Sequence, residues 1–455
     1  MRRWQVPPVV AAATLLVVCL GVTAQAADPP SKQTHLRLAD QIEKHLHEEV
    51  LRPWFPRCID REYSGFLPHF AHDWSRPERP QPGADDKAIV FQGRMTWVCA
   101  QVARRYPERA EEYTRYTRHG LECLEKTMWD GQQGGFFWSL GPDGKIAERA
   151  GTEKHVYGIS FGIYGAAAAY QTTKDPRALD LAKRAFAWLE EHAHDDAHDD
   201  AHGGYYEALT RSGTPILASP YKDPDVAAPR THDQIGTLYG YKSMNTHIHL
   251  MESLAELYRV WPDPLVRKRL REVFLLVRDR IAVEPGCLNL YFTPDWRPLP
   301  DHDSFGHDIE TGFLLLEAAE VLGEADDPRT LRVARSLVDH GLNWGWDDTH
   351  GGFYDRGAAF HKPWALDKVW WTQAEGLNAL LVMHERFGDD DPRYWAAFQK
   401  QWDFIKKHQV DHQHGGWFGV VSPEGKPHEG DKGSNWKTAY HNGRALMNAA
   451  EMLRR

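Results

Sequence analysis

Apolar residues along this chain recur with a helical period. Across residues 178–194, Leu181, Ala185, Trp188 and Leu189 fall at i, i+4, i+7 and i+8, without strand-like alternation. Residues 250–261 and 314–322 read the same way. Between such stretches a glycine–aromatic motif returns, as Ser64-Gly65-Phe66, Gly134-Gly135-Phe136, Gly203-Gly204-Tyr205, Gly351-Gly352-Phe353 and Gly415-Gly416-Trp417. Steps between the last glycines are 70, 69, 148 and 64 residues. The long step covers two periods, and Asn289-Leu290-Tyr291-Phe292 is the expected degenerate copy inside it. Each of six units should therefore hold two helices and a short extended turn. The glycines bend the chain, and the aromatic ring is expected to plug the barrel end. Six pairs without capping repeats predict an all-α toroid, with inner-helix starts around a central cavity.

The first residues break this pattern. Arg2 and Arg3, the apolar run 9–22 and the small-x-small site Ala24-Gln25-Ala26 read as a cleavable signal peptide, residues 1–26. The apolar run is short for a membrane span. A twin-arginine consensus is missing, and Cys19 follows Val18 rather than a small residue. Residues 27–455 are then one exported catalytic domain, periplasmic or secreted, with no membrane attachment after cleavage. Cys58, Cys99, Cys123 and Cys287 follow the leader, and the sequence leaves their pairing undetermined.

Polar residues cluster where inner helices should begin. Asn245 and His249 are i, i+4; His307 and Glu310 are i, i+3; Trp371 and Glu375 are i, i+4. Gln92-Gly93-Arg94, Lys154-His155-Val156-Tyr157 and Asn435-Trp436 through His441 open further stretches. One buried His or Trp on a helix usually means packing. Recurrence at equivalent places in five units of a toroid points instead to one shared site. Imidazoles, an arginine and carboxylates without a phosphate loop suit proton transfer beside a carbonyl. Arg94 or His249 would face the enediolate oxygen, and Trp371 would stack on a sugar ring. An aldose epimerase or isomerase needs such a set.

Composition agrees. The chain has 18 Trp and 25 His, groups suited to sugar faces and to proton movement. A net charge of -10 argues against nucleic acid as partner.

The segments KSMNTHIHLMES, SFGHDIETGFLL, WWTQAE and WKTAYHNGR resemble those of cellobiose 2-epimerases, within the N-acylglucosamine 2-epimerase superfamily. The likeness runs over about residues 35 to 453. It implies an (α/α)6 barrel, no cofactor and no metal. The implied reaction inverts C2 of a reducing-end aldose, of glucose or mannose configuration, through an open-chain form and a cis-enediolate. His307 and His441 resemble the acid/base pair, and His249 and Arg94 the groups around the O1 and O2 oxygens. Asn245, Tyr157, Glu310 and Glu375 match positions that bind hydroxyls or orient the histidines. Trp371 matches a stacking residue, and Trp436 is assigned with it to substrate binding. Phe313 stands where a sugar-contacting Trp is usual, and Thr438-Ala439 replaces a Cys-Pro. Both departures bear on the preferred sugar, a disaccharide or a free hexose. The expected partner is a small sugar, and the chain is expected as a monomer or weak dimer.

Other motifs are decoys. Gly158-Ile159-Ser160-Phe161-Gly162 matches G-x-S-x-G, but its flanks read as helix, not strand then helix. The histidines at 192, 194, 198 and 202 read as a duplicated surface loop with at most weak metal affinity. Asp85-Asp86 and residues 389–391 read as solvated loop charges. Competing functions are an aldose–ketose isomerase of the mannose/fructose type, an α/α-toroid glycosidase using Glu310 and Glu375, and a non-catalytic sugar-binding protein.

Overall fold

A computed structural model describes residues 31–78, 80–195, 202–226 and 228–455. The leader at 1–26 lies outside the described residues, as does the middle of the histidine tract at 196–201. Twelve helices of at least twelve residues alternate between two concentric layers among the described residues. The outer layer is α1 (Lys32–His45), α3 (Ala110–Cys123), α5 (Pro176–His192), α7 (Pro264–Leu276), α9 (Pro328–Trp344) and α11 (Arg393–Phe404). The inner layer is α2 (Ile89–Arg105), α4 (Val156–Thr173), α6 (Met244–Val260), α8 (Phe305–Leu322), α10 (Trp370–Phe387) and α12 (Tyr440–Met452). Each inner helix packs on the next, and α12 returns to α2, so the ring closes into the expected (α/α)6 barrel.

Local sequence explains both layers. Outer helices α5, α7 and α9 start at Asp-Pro: Asp175, Asp263 and Asp327 accept from backbone N–H groups of the first turn, and the proline follows at N1. Inner helices are apolar nearly all round, as the unbroken burial from Ile89 to Ala103 shows, because both of their faces are covered. Helices α2 and α4 meet through glycine. A Cβ on Gly93 would stand 2.3 Å from the Phe161 carbonyl oxygen, and one on Gly165 2.8 Å from that of Gly93. This close approach sets Arg94 beside Tyr157.

The glycine turns recur as expected. Gly134-Gly135, Gly203-Gly204, Gly351-Gly352 and Gly415-Gly416 all take positive φ, and Ser64 adopts the same conformation before Gly65. The following ring does not plug the barrel end. It is buried between helices: Phe353, for one, lies against both Gly341 of α9 and Gly376 of α10. Each turn is also clamped by a buried ion pair. Lys87–Asp60, Lys154–Asp130, Lys242–Asp195, Lys368–Asp347 and Lys432–Asp411 lie at 2.5, 3.2, 2.6, 2.7 and 2.5 Å. Each ammonium also donates to a carbonyl of its own turn, from Ser64, Gly134, Gly203, Gly351 and Gly415. Four of these lysines immediately precede an inner helix, so the clamp fixes where that helix begins.

The remaining unit departs from the expected register. Its hairpin pairs Ala282–Val283 with Cys287–Leu288, so Leu288, not an aromatic of 289–292, takes the position after the turn. Tyr291–Phe292 instead pairs with Lys242–Ser243, ahead of α6. Asp86 and Asp391 are not solvated: both are buried, paired with Arg149 and Arg393. Cys58, Cys99, Cys123 and Cys287 are buried free thiols. No described helix is long and apolar enough to cross a membrane.

Removing the cation from one clamp leaves a buried carboxylate without its countercharge. Lys368→Met is expected to lower stability by about 3–5 kcal/mol. Urea denaturation checks this, and an unchanged midpoint would contradict the clamp's role.

Candidate active site

The side chains singled out in the sequence converge at one end of the barrel. Arg94, Tyr157, Asn245, His249, His307, Trp371, Glu375 and His441 all sit in the first two turns of their inner helices. Six helix N-termini thus surround one point, and their aligned dipoles favour negative charge there. A cavity of about 270 Å³ opens at this end, lined in part by Asn245, His307 and Trp371. Ile235 and Thr237 reach it from the loop between the third hairpin and α6. Asp233 of that loop is held by His155 at 3.0 Å. A larger cleft of about 610 Å³ lies on the outer wall, between α1 and α3. His47 is the only imidazole lining it, so the chemistry belongs to the smaller cavity.

Beneath the cavity lies a buried ionic hub. Arg444 Nη2 stands 2.5 Å from Glu310 and 2.8 Å from Glu375. Its Nη1 donates to Glu252 and, at 2.7 Å, to the Tyr440 hydroxyl. The Tyr440 hydroxyl donates to Glu252 at 2.5 Å. The three carboxylates come from α6, α8 and α10, and the guanidinium from α12. Burial alone would raise the Glu252 carboxyl, but Arg444, His249 and Tyr440 outweigh it and hold the group well below the usual carboxylate range. For Glu375 burial wins over Arg444, and its carboxyl is raised.

The hub orients the imidazoles. His441 Nδ1 lies 2.6 Å from Glu375, and His249 Nδ1 lies 2.9 Å from Glu252. A carboxylate accepts from Nδ1–H, so in a neutral ring held this way Nε2 carries the free lone pair. His307 is anchored differently, by Ser304 Oγ at 2.7 Å from Nδ1. Trp371 lies between two of the rings, with centroids 4.8 Å from His307 and 5.7 Å from His441. Burial pushes His307 down to about 4; Glu310 opposes the shift, while His249 and His441 add to it. Burial, then Arg94, likewise puts His441 well below 6.5, against the pull of Glu310. Both imidazoles are therefore neutral near pH 7.

Arg94 contrasts with Arg444. It is buried, yet it has no carboxylate partner among the described residues. Its Nη2 donates to the Tyr157 hydroxyl at 3.1 Å, and its guanidinium carbon lies 4.3 Å from the Phe161 ring centroid and 5.0 Å from that of Tyr440. Its Nε has no partner. Tyr157 in turn packs edge-on against His249, centroids 5.3 Å apart. Trp436 is 45% exposed at the mouth, within 6.4 Å of both Trp138 and Tyr157.

One expected substrate contact is corrected. Phe313 has no exposed surface and packs under Arg444, 5.2 Å from the guanidinium carbon. Glu310 and Glu375 are also buried and pair with Arg444, and Glu375 holds His441, which is the orienting role among those expected of them. Glu252, Tyr440, Arg444 and Ser304 were not singled out. His249-x-x-Glu252 repeats the spacing of His307-x-x-Glu310, and that repetition was the available signal. Ser160 of the G-x-S-x-G match lies within α4 and donates to the Tyr157 carbonyl, as in an ordinary helix turn. His194 of the histidine tract is buried and bonded to Glu272 at 2.9 Å, not exposed in a loop.

Comparison with known proteins gives consistent matches. The family model of N-acylglucosamine 2-epimerase (GlcNAc 2-epimerase) matches residues 70–215 and 207–445. A cellobiose 2-epimerase of Bacteroides fragilis is 31% identical over 415 residues, 90% of this chain and 98% of that protein. A D-mannose isomerase of Marinomonas mediterranea is 24% identical over 418 residues, 88% of this chain and 94% of that protein. The solved structure of the cellobiose 2-epimerase from Spirochaeta thermophila superposes with a TM-score of 0.78 at 31% identity, covering 93% of this chain and 99% of that one.

The two arginines should respond oppositely to neutral replacement. Arg444→Met strands three buried carboxylates and is expected to cost about 3–5 kcal/mol or more. Arg94→Met removes a buried charge that no carboxylate balances, and should leave stability unchanged or raise it. Chemical denaturation of both variants decides; equal losses would contradict the division of roles.

Proposed function

The chain belongs to the N-acylglucosamine 2-epimerase family and is a sugar epimerase or isomerase, and within that class we propose a 2-epimerase acting on the reducing-end aldose of a disaccharide or a free hexose. The observation that carries this reading is the unbalanced, buried Arg94 opposite the neutral imidazoles of His307 and His441, whose Nδ1 atoms are tied down. An open-chain aldose with its C1 carbonyl near Arg94 presents its C2 hydrogen to an imidazole Nε2. His441 or His307 takes that proton. Negative charge then develops on the enediolate oxygens, where Arg94, His249 and six helix N-termini face it. Rotation of the enediolate then turns its other face to the imidazolium formed in the first step, and return of that proton to C2 completes inversion, with no net change in atoms or charge. Trp371 and Trp436 offer apolar faces to the sugar rings, and Tyr157 and Asn245 hydrogen-bond hydroxyls.

The likeness to a D-mannose isomerase supports a second reading, in which the same enediolate is reprotonated at C1. The glycosidase reading loses ground. Its two carboxyls must flank a glycosidic bond, but Glu310 and Glu375 share one guanidinium nitrogen, at 2.5 and 2.8 Å. Export belongs to the same proposal, as do a single catalytic domain over residues 27–455 and a monomer or weak dimer. N-terminal sequencing of protein from the cell exterior or periplasm should begin at Ala27.

Incubation with cellobiose, mannobiose, glucose or mannose in heavy water is expected to place deuterium at C2 of an epimeric product. A ketose product would favour the isomerase, and absence of exchange with every aldose would defeat both. The pH profile follows from the lowered histidines. A base with a depressed pKa stays neutral to lower pH, so the acid limb of kcat/KM should lie well below pH 6.5. A limb at or above 6.5 would contradict the assignment of His307 and His441.

A further inference from the structure

The one unit that lacks the lysine clamp carries an unexplained cluster on the barrel wall. In four units a lysine stands two residues before the inner helix: Lys87, Lys154, Lys242 and Lys368. Before α8 the same place holds Asp303. The turn carboxylate is gone as well. Asp130 follows Trp129, which bridges to Phe136; Val283 follows Ala282, which pairs with Leu288. Charge has therefore been inverted at this joint, and the groups around Asp303 are Asp308 of α8 and His340 of α9. All three are at most 3% exposed, and one donor atom from each lies within 4.8 Å of the others.

The turn carboxylates of the clamped units are saturated. Asp60 accepts from Lys87 and from the backbone N–H groups of Glu62 and Tyr63. Asp347 accepts from Lys368 and from Thr349 and His350. Neither oxygen of Asp303 has a hydrogen-bond partner, and neither has Asp308 Oδ1. His340 is fixed from behind, its Nε2 donating to the Ala359 carbonyl. In the neutral ring that bond leaves the Nδ1 lone pair facing acceptors, 3.0 Å from Asp308 Oδ2 and 3.6 Å from Asp303 Oδ2. A lone pair opposed to carboxylate oxygens needs a proton or a metal ion between them.

We propose that Asp303, Asp308 and His340 form a binding site for one divalent transition-metal ion of the zinc class. The spacing fits, since ligand atoms around a tetrahedral ion at about 2.0–2.1 Å stand about 3.3–3.4 Å apart. The donor set fits too: one imidazole nitrogen oriented by a carbonyl bond on its far side, plus two carboxylates. Calcium and magnesium want six or more oxygens, which three side chains including an imidazole do not supply. A divalent ion balances the two carboxylates, as the ammonium balances one in the clamped units. The site ties α9 to the entry of α8, the helix turn that carries His307. Its role is structural and independent of the sugar chemistry.

Protein stripped by a chelator and titrated with Co²⁺ tests this. One equivalent should bind, with the visible absorption of a four-coordinate site, and Zn²⁺ should displace it and raise Tm. Asp303→Asn and, separately, His340→Gln should lose the band, while the joint change His198→Gln and His202→Gln in the histidine tract should keep it. No Co²⁺ bound by the wild-type protein, meaning that the triad holds only a proton, overturns the proposal. So does a band that survives both triad variants or vanishes with the tract.

Discussion

The salt-bridged guanidinium of Arg444 is the contact on which the working end of this barrel depends. Four inner helices each bring a charged group to its floor: Glu252 on α6, Glu310 on α8, Glu375 on α10 and Arg444 on α12. Desolvating three carboxylates together would be prohibitive without the cation that joins them. Once joined, the carboxylates have fixed positions, and two of them hold imidazoles by Nδ1. The geometry of the proton-transfer groups therefore follows from an ion cluster that touches no substrate.

The same charge logic separates the two buried arginines. Arg444 is neutralised by its neighbours and gives strength to the frame. Arg94 meets only a tyrosine hydroxyl and aromatic faces, so its charge is available to an incoming anion. Six helix N-termini point the same way. The site is thus built to prefer an oxyanion over a neutral carbonyl, which is the differential binding that an enediolate mechanism needs. Neutral imidazoles complete it, because a base already protonated at pH 7 could not take a carbon-bound proton.

Much of this was legible in the sequence. Local rules carried the fold: the glycine turns, the helical period and the unit spacing are all properties of neighbouring residues. The converging residues were legible through recurrence at helix starts. The hub was not, because the pairs that join its helices lie 66 to 192 positions apart, and only the local His249-x-x-Glu252 spacing pointed to it. For the same reason Phe313 read as a sugar contact until its burial under Arg444 was seen. The lysine clamp was hidden similarly, since its aspartate and lysine lie 21 or more residues apart on either side of the glycine turn. The degenerate unit slipped in register because its turn lost the aromatic that marks the others, leaving Tyr291-Phe292 as a false match.

The claim at the centre is that the hub presents a neutral His441 imidazole with Nδ1 protonated and Nε2 free. Nitrogen-15 NMR of histidine-labelled protein between pH 6 and 8 reads that state directly, with His249→Gln and His441→Gln assigning the signals. The expected spectrum shows His441 with a protonated Nδ1 and an unprotonated Nε2, and without an imidazolium signal at pH 6. A protonated Nε2 on His441, or an imidazolium that persists to pH 7, would contradict it.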